Sequence, residues 1–133
     1  MTPITRMNPA SLPDAGNSGY SQISIVEPGR LAFVSGQVAW TRDGGAVATD
    51  LQGQARIVAQ NLRAALQALN ATGQDIVMVR AYMVDMTPAK IGEVMPHLAQ
   101  IFDGAQPSLT GIGVAALATP ELLLEVELVV RLP

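Results

Sequence analysis

The stretch "ELLLEVELVV", residues 121–130, limits the possible folds more than any other part of the chain. Side chains alternate across a strand, so Leu122, Leu124, Val126, Leu128 and Val130 share one face, which is wholly aliphatic. Glu121, Glu125 and Glu127 share the other face with Leu123 and Val129. Such a strand has to lie inside a sheet with one face covered. Its second face either meets water or lines something that needs an acid.

What covers the first face is legible upstream. Leu51, Ala55, Val58, Leu62, Leu66 and Leu69 recur at steps of three and four, the period of one helical face. Asp50 or Thr49 can cap this helix, and "NATG" (70–73) stops it. Thr87 followed by Pro88 opens a second helix over 88–102, with Pro96 expected to kink or split it. Around the helices, "YSQISIV" (20–26) and "LAFVSGQVAW" (31–40) read as one hairpin. "DIVMVRAYMVDM" (75–86) reads as a strand between the helices. "SLTGIGVAAL" (108–117) and "LLLEVELVV" (122–130) read as a second hairpin. The order is β-β-α-β-α-β-β, an α+β domain with two helices on one face of a mixed sheet of about five strands.

The chain of 133 residues fits one domain, 1–133, in which 1–19 form an extended, proline- and glycine-bearing arm. Charged residues make up only 14% against 49% hydrophobic, too few to wet the whole surface of a small monomer. Self-association through the uncovered sheet face resolves that mismatch. Eight basic residues, no basic stripe and a net charge of −3 argue against a nucleic-acid partner. With no cysteine and one histidine, His97, there is no thiol chemistry and no cluster suited to a metal. No cofactor is expected. The opening "MTPITRMNPASLPD" lacks the apolar core of a secretory signal, and no apolar run has the length of a membrane span. A cytoplasmic protein with no membrane partner is the expectation. Met78, Met83, Met86 and Met95 read as gap-fillers.

The segments "RMNPASLPDAGNSGYSQ", "FVSGQVA", "ARIVAQNLRAALQALNATGQDIVMVRAYMVDM" and "GVAAL…LLEVELV" together resemble the Rid superfamily, also called the RidA or YjgF family. The resemblance runs over nearly the whole chain in the right order. It implies a chorismate-mutase-like subunit, a homotrimer, and small-molecule sites in clefts between subunits. RidA-type members hydrolyse reactive imines and enamines to a keto acid and ammonia.

Carried over residue by residue, Tyr20 matches the tyrosine near the substrate, and Ser35 and Gly36 match the strand that approaches the ligand. Glu125 matches the acid of the last strand, which positions water or shuttles a proton. Three positions depart from the family pattern. Leu109 stands where the family carries its carboxylate-binding arginine, followed by Thr110. Gly111 stands where a cysteine is frequent, and Thr87 where an asparagine is. An aliphatic side chain cannot replace a guanidinium fork, so a standard α-imino acid is not the expected substrate. The expectation is therefore a Rid-like deaminase of another small imine, enamine or related metabolite. A non-catalytic metabolite-binding or sensing trimer is the alternative, and an endoribonuclease is the least favoured reading.

Overall fold

In a computed structural model describing residues 3–133, the chain forms six strands and two long helices. The strands are β1 (Thr5–Met7), β2 (Ile23–Ile25), β3 (Leu31–Gln37), β4 (Ile76–Val84), β5 (Ser108–Val114) and β6 (Leu124–Arg131). Helix α1 spans Leu51–Ala68 and helix α2 spans Pro88–Phe102. Four strands make the main sheet, ordered β3-β6-β4-β5, with β4 and β5 parallel and the other neighbours antiparallel. β1 and β2 form a separate antiparallel ribbon.

The aliphatic parity of β6 settles the layering. Leu124, Val126, Leu128 and Val130 are buried with Ile76, Val79, Ala81 and Met83 of β4. Val58 and Leu62 of α1, and Val94, Leu98, Ile101 and Phe102 of α2, complete that core. Both helices thus lie on one face of a mixed sheet, as the α+β reading requires. The second face is bare, and Phe33 stands 75% exposed on it.

Both expected hairpins are overturned. β2 pairs with β1, the one strand inside the arm, and β3 instead lies beside β6. β5 and β6 are not neighbours, because β4 lies between them. The cause is the parallel β4–α2–β5 crossover, which leaves the inner place for the most apolar strand, β6. Glu121 precedes β6 rather than lying in it. Pro96 does not split α2, which runs unbroken from Pro88 to Phe102. Thr87 caps that helix as expected, its Oγ1 accepting from Lys90 N at 3.2 Å. Residues 1 and 2 of the expected arm lie outside the described residues.

One polar side chain ties the layers together. Gln54 in α1 has no exposed surface, and its Nε2 donates to Ala48 O and Glu121 O, each at 2.8 Å. Its Oε1 accepts from Leu123 N at 2.8 Å. One amide therefore anchors both the loop entering α1 and the chain entering β6. That fixes where β6 begins and which residues of it face outward.

Candidate functional site

On the bare face, the parity of β6 presents Glu125 and Glu127. Glu125 lies opposite Tyr82 of β4, and Glu127 opposite Arg80. The Tyr82 hydroxyl donates to Glu127 Oε1, and Arg80 lies 3.9 Å from the other oxygen of that carboxylate. The hydrogen bond to Glu127 holds the Tyr82 phenol above its usual range. Glu127 is thus occupied by two partners.

Glu125 leans instead toward β3, where a bulge lies between Val34 and Gln37. A β-carbon built on Gly36 would stand 2.5 Å from Glu125 Cδ and 2.6 Å from its Oε2. The strand-weakening glycine therefore gives the carboxylate its place, and Ser35 is exposed beside it. Gly36→Ala is expected to push Glu125 out of this position, with modest loss of stability. Thermal melting of the variant checks the second part.

A second group assembles on the helix side, at the outer strand. Ser21 makes a parallel bridge to Ser108, with Ser21 N donating to Pro107 O at 3.1 Å and its Oγ to Gln106 O at 2.5 Å. This seats Tyr20 beside the start of β5. The parallel register puts Leu109 with Val79 and Gly111 with Ala81, on the helix face. Tyr20, Leu109 and Gly111 then line a crevice of about 240 Å³. Ala81, Met83, Met86, Ile91, Val94, Met95 and Leu98 supply the rest of its wall. No charged side chain lines it among the described residues.

The structure thus brings together Tyr20, Leu109 and Gly111, and separately Ser35, Gly36 and Glu125. Thr110 has the opposite parity to Leu109 and faces outward beside Arg80. Thr87 is engaged as the helix cap. The two groups lie on opposite faces and two strands apart, on the order of 10 Å sideways plus the sheet's thickness. One small molecule cannot touch both within one chain.

Two features escaped the sequence reading. The methionines read as gap-fillers include three, Met83, Met86 and Met95, that wall the crevice. The Arg80–Glu127–Tyr82 cluster was also missed, although its signal was available: Arg80 and Tyr82 share the parity opposite to the buried Ala81 and Met83. Arg80 faces Glu127, and Arg6 donates to Gln74 O and Ile76 O at 3.1 and 2.9 Å.

Residues 11–132 match the family profile described as Endoribonuclease L-PSP. The chain is 33% identical over 111 residues to the RutC family protein YjgH of Escherichia coli K12, covering 83% of this chain and 82% of that one. TdcF of the same organism, named provisionally as a reactive intermediate deaminase, is 28% identical over 103 residues, 77% of this chain and 79% of its own. Among solved structures, YyfB of Yersinia pestis, a Rid family protein described as of unknown function, superposes with a TM-score of 0.91 at 34% identity. That match covers 98% of this chain and 100% of YyfB.

Proposed function

The chain belongs to the Endoribonuclease L-PSP family, the Rid and RutC proteins, and on that premise we propose that it hydrolyses a small reactive imine or enamine in clefts between copies of itself. The observation that carries this reading is the division of the site. Glu125 with Gly36 and Ser35 forms one half, and the Tyr20–Leu109–Gly111 crevice forms the other, on opposite faces of one chain. A second copy placing its outer strand against the bare face of the first brings the halves together. Closure of three such contacts gives a homotrimer and covers the exposed Phe33.

Within the cleft, Glu125 accepts a proton from water as the oxygen adds to the C=N carbon. The same group returns that proton to the nitrogen, giving a carbinolamine; it then takes the hydroxyl proton and delivers it to the nitrogen as the C–N bond breaks, so that ammonia leaves and a carbonyl compound remains. An enamine enters the same route after protonation at carbon. Glu125 suits this role because Glu127, its neighbour in β6, already holds Tyr82 and Arg80, whereas Glu125 lies over a glycine.

The nuclease activity in the family's description has little support in this chain. The crevice has no basic side chain among the described residues, and the chain has eight basic residues against eleven acidic ones. Binding without turnover is the second reading, favoured by Leu109 in the family's arginine position.

The test is ammonia release from imines generated in situ. An amine oxidase acting on an aliphatic amine supplies an uncharged imine, and an amino-acid oxidase supplies iminopropionate. The protein is expected to accelerate release from the first well above the spontaneous rate. Failure with every imine overturns catalysis. A rate with iminopropionate equal to that of an arginine-bearing relative overturns the argument from Leu109.

A further inference from the structure

We propose that the crevice between α2 and β5 recognises the apolar, uncharged body of the substrate, so that the preferred imine derives from an aliphatic amine or ketone and bears no carboxylate. This rests on the reading that the crevice is half of the reaction site, and it adds what the molecule is.

The wall carries the inference. Met83, Met86, Met95, Ile91, Leu98 and Leu109 give aliphatic and thioether surface only. A volume of about 240 Å³ exceeds the cavities of about 150 Å³ that take up benzene, so it suits a short branched or cyclic hydrocarbon group. A carboxylate placed there loses its water and gains no cation, whereas a methyl group in its place loses nothing. Within the crevice itself, the polar partners that remain are neutral. They are Tyr20 and the backbone along the outer edge of β5, which among the described residues has no partner strand beyond the Ser21–Ser108 bridge. Those groups can meet an imine nitrogen or a carbonyl oxygen, not an ion.

Gly111 supplies part of the room. A β-carbon at that position would lie 3.8 Å from Met86 Sδ, an ordinary contact, so a larger side chain fills the crevice without pushing on backbone. The three methionines can shift to follow ligands of different shape.

The experiment compares two molecules that differ only where the anchor would act: methyl isobutyl ketone and α-ketoisocaproate. Both carry the same branched chain and carbonyl, but the second has a carboxylate where the first has a methyl. Binding to the full chain, with methionine methyl groups labelled for NMR, is expected at least about tenfold tighter for the ketone. The shifted resonances should be those of Met83, Met86 and Met95. Gly111→Val should abolish binding, Gly111→Ala should weaken it, and Leu109→Arg should reverse the preference. Equal or tighter binding of the keto acid overturns the proposal. So does a ketone that moves only the methyl groups of Met7 and Met78, or one that does not bind up to its solubility. Ketone binding without hydrolysis of any imine would remove the catalytic reading and leave this one standing. Hydrolysis together with keto-acid preference would do the reverse.

Discussion

Replacing Glu125 with glutamine should lower imine turnover by about a hundred- to ten-thousand-fold, the range a positioned general acid–base contributes, while ligand affinity should stay within a few-fold. The side chain keeps its size, so it still fills the space above Gly36, where a β-carbon would come within 2.5 Å of it. What it loses is the ability to take a proton from water and give one to the departing nitrogen. Glu127 cannot take over, because its carboxylate is held by Tyr82 and Arg80 and lies two residues along the strand. Glu127→Gln, the matched control, should reduce turnover far less. Steady-state ammonia release for both variants, with ketone binding measured beside it, checks the prediction. A metabolite-binding protein without catalysis has no such turnover to lose.

The largest expected effect on stability is far from the crevice. Gln54→Ala should destabilise the fold by about 3 kcal/mol or more, since it strips partners from two carbonyls and an N–H in the interior, each costing about 1–3 kcal/mol when left unmet. Those groups are Ala48 O, Glu121 O and Leu123 N. For a domain of this size the melting temperature should fall by about 10 °C or more. Gln60→Ala, on the exposed side of the same helix, should change it little. Differential scanning calorimetry of the two variants separates them. Because Gln54 also holds the approach to β6, the variant should lose activity at temperatures where it is still folded.

The layering was legible because it depends on short-range pattern. The stripe from Leu51 to Leu66 and the alternation in β6 each specify a covered face, and Thr87-Pro88 marks a helix start by local geometry alone. Strand partnership was not legible. The spacing of β2 from β3, and of β5 from β6, looks like that of hairpins, but partners are set by which strand can be buried on one face beside two others. That is a tertiary property, and β6 wins the inner position through four aliphatic residues on one side. The site was legible residue by residue and not as a place. Glu125 and Leu109 can each be matched to a family position, yet their lying on opposite faces follows only from register. Gln54 reads as one more polar residue on a helix, because nothing local shows that two loops close over it.

The most direct measurement uses mixtures. Glu125→Gln disables one half of the site and Gly111→Val the other, so each variant alone should be inactive. If every working cleft draws its acid from one chain and its crevice from the next, an equal mixture co-refolded into mixed assemblies should recover about a quarter of the wild-type activity, the fraction of clefts that receive both intact halves in a symmetric ring. A mixture as inactive as its components, with both variants folded and exchanging, would contradict the account.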